Sequence, residues 1–348
     1  MSIVESIDAG AAPQVGVQDM DRPDSNPFRS LARRAANRLM QRIVTATMRA
    51  TLRAEAQGPD ALIRHTERQR RIHMTFDAPV VARLEAEAVR QLGPGAGLPP
   101  PPAPAEWFAP RTIEPRGVVF YVHGGSFIAE RSPRITHLVA RFAAAAQARV
   151  FAPSYRLAPE HPCPAAVEDI AAAWAWQCET APGEPVVALA ESAGAAVLVA
   201  ALQQAIARGL PAPAGLVLLS PWVDLSLQSW SVTAASLMGT TPYTMESLAL
   251  VARFYLDGRS ATDPTASPLF GAFDGFPPTL IHASRGDILY DDAVRLAEKI
   301  RDAGGDLTVR LWAEETHVWE RMRTPKARQS IELAADFIRR RLDAAAEH

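Results

Sequence analysis

A serine that opens a helix straight after an apolar strand is placed to act as a nucleophile, and residues 185–200, PVVALAESAGAAVLVA, have that layout around Ser192. A tight strand-to-helix turn presents the serine Oγ at the C-terminal edge of a sheet and needs small residues on both sides to avoid clashes. Ala193 and Gly194 supply them after the serine; two residues before it stands Ala190, one methyl group larger than the usual glycine. The helix N-terminus adds N–H groups and a dipole that favour developing negative charge. Taken alone, the window also reads as the serine N-cap of an ordinary strand–helix unit.

A second segment, residues 118–127 (VVFYVHGGSF), runs from a buried strand into a histidine and two glycines. Adjacent glycines let the backbone approach a ligand and turn N–H groups toward it, which is one way to build an oxyanion hole. The candidate donors are Gly124, Gly125 and Ser126, partnered by the N–H of Ala193. The same residues could form a simple turn, while the absence of GxxxxGK[ST] or GxGxxG argues against a phosphate cradle.

A serine hydroxyl needs a base to take its proton, and the base needs a carboxylate to orient it. His65 and His73 lie in an arginine-rich segment, His282 inside an expected strand, and His348 at the chain end, whereas His317 follows the last expected strand in a loop. Loops after parallel strands are where α/β proteins place reacting groups. Asp287, just past the preceding strand, is the orienting acid of choice; Asp291 and Asp292 begin the next helix, where acids stabilise an N-terminus in any case. The chain order Ser192, Asp287, His317 is that of α/β-hydrolases and not of the two common serine protease folds.

The elements that must position these groups follow from short apolar runs alternating with longer amphipathic ones, the pattern of a parallel sheet with crossover helices. Strands are expected at 117–122, 149–152, 185–190, 215–220, 279–283 and 307–312, with helices near 134–147, 165–179, 193–208, 244–256, 290–304 and 325–344. Residues 78–91 read as helical before Gly93-Pro94-Gly95 and the run Pro99–Pro102 break the chain. Residues 28–71 form one or two amphipathic helices carrying eleven arginines against Glu55, Asp60 and Glu67. That face is expected to be solvated, a membrane surface or a dimer contact being the sharper readings. Residues 1–27, acidic and aperiodic, are expected to lack structure.

Composition narrows the function. Thirty-six basic against 38 acidic residues leave no global field for nucleic acid. Two cysteines, Cys163 and Cys178, with no CxxC, exclude a disulfide scaffold and a thiolate zinc site. No metal is expected. The acidic, proline-containing N-terminus does not read as a secretory signal, so a cytoplasmic location is expected. The most apolar stretch, 186–207, is interrupted by Glu191, Ser192, Gln203 and Gln204 and reads as a buried strand and helix.

Together His123-Gly124-Gly125-Ser126-Phe127, Tyr155-Arg156-Leu157-Ala158-Pro159-Glu160-His161-Pro162, Glu191-Ser192-Ala193-Gly194, Ser220-Pro221-Trp222-Val223-Asp224, Asp287-Ile288-Leu289 and His317 resemble the hormone-sensitive-lipase-like group of α/β-hydrolase esterases. The likeness runs from about residue 105 to 345. It implies Ser192 as nucleophile, His317 as base, Asp287 as orienting acid, and the 123–126 turn with Ala193 as oxyanion hole. It also implies a mostly parallel sheet flanked by helices with an N-terminal helical cap, so that behind the acidic tail (1–27) the chain divides into a helical cap and linker (28–100) and a catalytic domain (101–348). The implied activity is cofactor-free hydrolysis of small short- to medium-chain esters, with lactones as the alternative substrate; a non-catalytic binder would be expected to lack one of the three triad groups. Ala190, and Ala195 where a further glycine is usual, make the elbow more crowded than in typical members, and Ser126 replaces the last glycine of HGGG. Cys163 reads as a packing variation, while His123, Glu160 and His161 are expected to support the oxyanion loop. Phe127, Trp222 and Leu237 are the candidate pocket residues.

Overall fold

The computed structural model describes residues 15–21, 27–76, 89–92, 98–238 and 241–347. The expected alternation is present: β4 (Val118–Val122), α3 (Pro133–Ala146), β5 (Arg149–Pro153), α4 (Ala165–Thr180), β6 (Val186–Glu191), α5 (Ala193–Ala207), β7 (Gly215–Leu219), α7 (Met245–Leu256), β8 (Thr279–Ser284), α8 (Tyr290–Asp302), β9 (Leu307–Trp312) and α9 (Pro325–Ala346). With β1 (Val15–Asp19), β2 (Val89–Leu92) and β3 (Ala105–Pro110), the strands join one sheet in the order β1-β9-β8-β7-β6-β4-β5-β3-β2, parallel from β1 through β5. Strands covered on both faces read as unbroken apolar runs, which is why VVFYV and VVALA were visible locally.

The pleat of β4 shows how the two layers are fed. Val118, Phe120 and Val122 enter the core that holds Ile170 and Trp174 of α4, Val197 and Leu198 of α5 and Leu296 and Ile300 of α8. Val119 and Tyr121 point the other way, against Leu138 and Phe142 of α3 and Ile331, Ile338 and Leu342 of α9. Each fully buried side chain of this size contributes roughly 1.5–3 kcal/mol of transfer free energy. All parallel strands therefore end on one edge, and their loops gather there.

The N-terminal half departs from expectation. Within 1–27, expected to be unstructured, Val15–Asp19 is strand β1, parallel to β9. The open edge of β9 offers unpaired backbone groups that an extended segment satisfies. Flanking contacts hold it: Met20 N donates to Leu311 O at 2.8 Å, Asp21 Oδ1 accepts from Ala313 N at 2.7 Å, and Asp19 pairs with Arg285 at 2.7 Å. Of the helix expected at 78–91, residues 78–88 lie outside the described ones. Residues 89–92 are instead strand β2 (Val89–Leu92), antiparallel to β3 (Ala105–Pro110), which pairs antiparallel with β5. The pairing partner, supplied from elsewhere in the chain, overrode the local pattern. A short helix, α6 (Trp230–Met238), was also not expected.

The arginine-rich segment is a helix pair, α1 (Pro27–Ala56) and α2 (Pro59–Phe76). Thr51 Oγ1 and His65 Nε2 join the two at 3.1 Å. Glu55 pairs with Arg253 of α7, and Gln41 Nε2 donates to Thr241 O at 2.9 Å.

Beneath the sheet edge lies a fully buried polar cluster. Ser330 Oγ of α9 bridges His282 Nδ1 of β8 at 2.8 Å and Glu320 Oε1 at 2.6 Å. Burial pushes His282 down to about 3 and Glu320 up to about 8, so both are neutral near pH 7. Glu320 ionises at about 4.5 in the unfolded chain, so between that value and about 8 the folded state holds a proton that the unfolded state has lost. This share of stability is full at acid pH and disappears as pH rises through the folded value. Wild type is expected to lose melting temperature from about pH 5 to about pH 9, and Glu320→Gln to lose less. Equal slopes by scanning calorimetry would refute the assignment.

Candidate active site

Ser192 sits between β6 and α5 with φ 52° and ψ −131°, a strained conformation that lifts its side chain off the strand end. Backbone bonds fix it: Ser192 N donates to Leu219 O at 3.0 Å, while its carbonyl accepts from Ala195 N at 2.9 Å and Trp222 N at 3.1 Å. Gly194 permits the turn, because a Cβ there would lie 2.4 Å from His123 O and 2.6 Å from Val122 O. The methyl groups of Ala190 and Ala195, by contrast, are fully buried without displacing the elbow, and Ala190 keeps its register with Val122 and Leu218.

The three groups singled out in the sequence meet. His317 Nε2 lies 2.8 Å from Ser192 Oγ, and its Nδ1 lies 3.1 and 3.0 Å from the two oxygens of Asp287. With the carboxylate accepting, Nδ1 carries the proton and Nε2 is free to accept from the serine. Asp287 Oδ1 is held by the N–H of Leu289 at 3.2 Å, and all three side chains are nearly buried. Tyr243 stands edge-on to the His317 ring at 5.5 Å. Asp291 and Asp292 serve elsewhere: Asp291 accepts from Ser231 N, and Asp292 from Val223 N, Asp224 N and Ser229 Oγ.

The glycine turn passes directly beside the elbow. Among the described residues, the N–H groups of Gly125, Ser126 and Ala193 enter no hydrogen bond, leaving them for a ligand oxygen. Gly124 corrects the expectation: its N–H is drawn 3.3 Å from Glu191 Oε1, so it is already engaged. Its missing side chain is needed instead, since a Cβ would come within 2.9 Å of Glu191 O and of Ser192 Cβ. His123 supports the turn, with Nδ1 2.7 Å from Gly124 O and its ring stacked on Tyr155, whose hydroxyl donates to His123 O at 2.7 Å. Burial pushes His123 down to about 4, so it is neutral and Nδ1–H is the donor. Glu160 acts through a residue not foreseen, Arg70 of α2. It accepts from both Arg70 terminal nitrogens, at 2.8 and 2.9 Å, and Arg70 donates onward to Ile128 O and Ala158 O. The His161 side chain is exposed, contrary to a loop-holding role.

Of the expected pocket residues, Phe127 is buried, stacked on Tyr255 with centroids 3.9 Å apart and tilted against Trp222 at 5.3 Å. Leu237 is 82% exposed at the end of α6, a helix whose presence the local pattern did not reveal. Cys163 is buried, and burial raises its thiol, consistent with packing and not reactivity. Among the described residues no cluster of His, Cys, Asp and Glu could hold a metal ion, and no helix is long and apolar enough to cross a membrane.

Sequence reasoning missed the group that joins these parts. Glu191, fully buried, accepts from Tyr121 Oη at 2.8 Å, Gly124 N and Arg321 Nε at 2.8 Å, with Arg321 Nη2 2.7 Å away. Burial works to raise its pKa, but the Arg321 charge and these hydrogen bonds outweigh it and hold the carboxyl below its ordinary range. The one signal available was an ionisable residue inside an otherwise apolar strand end.

The sheet order, the strained serine at the end of β6 and the loop-borne acid and base define an α/β hydrolase. A family model described as alpha/beta hydrolase fold matches residues 119–321. An acetyl-hydrolase of Streptomyces hygroscopicus is 38% identical over 239 residues, 68% of this chain and 79% of that protein. An esterase from the bacterial hormone-sensitive lipase family superposes with TM-score 0.69 at 29% identity, covering 87% of this chain and 98% of its own. Another solved structure, EstE5 soaked with p-nitrophenyl butyrate, matches with TM-score 0.66 at 27% identity over 78% of this chain and 98% of that one. The chain belongs to the α/β-hydrolase family, among the esterases of the hormone-sensitive-lipase type, as the sequence motifs implied. It is a carboxylic ester hydrolase.

Removing Arg321 would strand the Glu191 charge in the interior. Arg321→Met is expected to destabilise the fold by about 3–5 kcal/mol in urea titrations, and Glu191→Gln added to it to recover part of that loss. Wild-type stability in the single variant would refute the pair's role.

Proposed function

We propose that this esterase hydrolyses short- to medium-chain acyl esters through a covalent acyl-enzyme, with Ser192 as nucleophile, His317 as base and Asp287 as orienting acid. The observation that carries the reading is the unbroken relay from Ser192 Oγ to His317 Nε2 and from Nδ1 to Asp287. Ser192 Oγ attacks the ester carbonyl as His317 takes its proton, and the carbonyl oxygen becomes an oxyanion facing the N–H groups of Gly125, Ser126 and Ala193. Collapse breaks the bond to the alcohol, which leaves with the proton from His317. Water, deprotonated by the same ring, then attacks the acyl-enzyme; the second collapse releases the acid and returns the proton to Ser192. Every atom is supplied by ester, water and these side chains.

The short-acyl preference is read from the aromatic cluster of Phe127, Tyr255 and Trp222, with Phe127 directly after the oxyanion turn. It fits with the butyrate ester soaked into EstE5. In this reading residues 28–100, with α1 and α2, act as a cap whose Arg70 braces the loop after the oxyanion turn, and residues 101–348 carry the catalysis.

Hydrolysis of 4-nitrophenyl esters of increasing acyl length is expected to peak at short to medium chains, and Ser192→Ala to lower kcat by roughly 10⁴-fold or more. Near-wild-type turnover in that variant would remove Ser192 from the mechanism, and a maximum at long chains would remove the acyl preference.

A further inference from the structure

The outer face of α1 plays no part in the site, yet its pattern is not that of an ordinary solvated helix. Its inward strip is accounted for: Thr51 and Ala54 are buried, Met48 packs on the core, and Gln41 reaches Thr241 O. Toward its N-terminal end the same helix leaves large apolar side chains in solvent, Leu39, Met40 and Ile43, at 60%, 46% and 51% exposure. Their spacing of three and four residues puts them side by side on one face. A parallel strip of exposed arginines, Arg38, Arg42, Arg49 and Arg53, repeats at intervals of four, seven and four residues and runs alongside.

Through Gln41, α1 is tied to the segment that runs beside His317. Thr241, to which Gln41 is bonded, lies two residues before Tyr243, whose ring touches His317. Three residues before Thr241, α6 ends in two more exposed apolar side chains, Leu237 at 82% and Met238 at 59%. Two separate elements thus present large apolar groups to solvent around one short connection.

We propose that α1 and the end of α6 form a docking surface for an anionic lipid bilayer, with the apolar side chains seated among the acyl chains and the arginines on the headgroups. Apolar residues beside a basic strip are what an interfacial helix requires. Charge favours this occupant over a second copy of the chain. A two-fold contact would set this face against itself, arginine row facing arginine row, in a segment where eleven arginines meet three acids. An anionic surface instead matches the row, each arginine near it adding to the attraction. Docking on this face would bring the site next to esters dissolved in the bilayer.

The test is flotation of the full chain with vesicles of phosphatidylcholine alone and of phosphatidylcholine mixed with phosphatidylglycerol. Binding is expected to the mixed vesicles only, and to fall away at about 0.5 M salt, where the charges are screened. Arg38→Gln with Arg42→Gln is expected to weaken binding roughly thirtyfold. Leu39→Ser with Ile43→Ser should weaken it at least about tenfold. Both double variants change exposed side chains only, so their hydrolysis of dissolved 4-nitrophenyl butyrate serves as the check on folding. Failure to float with the mixed vesicles, equal binding to both compositions, or wild-type binding by both variants would overturn the proposal. So would self-association in lipid-free buffer that the serine variant abolishes, because that assigns the face to a second copy.

Discussion

Glu191 is the group on which the arrangement of the site depends. It adjoins Ser192 in sequence, and its carboxylate joins three pieces: Tyr121 at the end of β4, the Gly124 N–H in the glycine turn, and Arg321 beyond the loop that carries His317. Placing an unpaired carboxylate in the interior would cost several kcal/mol, so it can remain ionised only while all three partners are in position. The requirement works in both directions, since the partners are held where the charge needs them. The glycine turn and the histidine loop are thereby registered against the serine.

Strain concentrates at the same edge. Ser126, Phe127, Ser192, Ser220 and Val318 all have positive φ without being glycine, and they lie in the loops at the C-terminal ends of β4, β6 and β7 and after β9. Each such residue costs on the order of 1–3 kcal/mol and persists only where its surroundings over-determine it. Here the surroundings are a sheet buried on both faces, backbone bonds on both sides of Ser192, and Ser220 Oγ accepting from Val318 N at 3.2 Å. A rigid scaffold meets the strain, and preorganised donors are the result.

The N-terminal helices work in two directions. Inward, Arg70 of α2 joins Glu160 to the carbonyls of Ile128 and Ala158, so that the loop after the glycine turn is braced from outside the sheet. Outward, α1 exposes apolar and basic strips that the hydrolase fold does not use. The near-zero net charge of the chain conceals this division, because the acids that offset the arginines lie elsewhere in the sequence.

The parallel strands and the three side chains that meet at the sheet edge were legible in the sequence because both depend on short-range patterns. Buried strands read as apolar runs; Ser192 follows one directly, and Asp287 and His317 lie within three and five residues of the ends of β8 and β9. What remained hidden depended on partners far away along the chain. The strand Val15–Asp19 exists because β9 leaves an edge to pair with, and Val89–Leu92 is a strand because β3 lies beside it. Glu191 could be seen as an oddity in an apolar run, but its role was set by Arg321, 130 residues later. Leu237 illustrates the same limit, since an apolar residue is inward or outward only once its helix has a neighbour. The sequence alone determined which chemical groups are available and which strands carry them; the tertiary structure decided which groups meet, because long-range pairing and the burial of charge are properties of the packed chain and not of any local window.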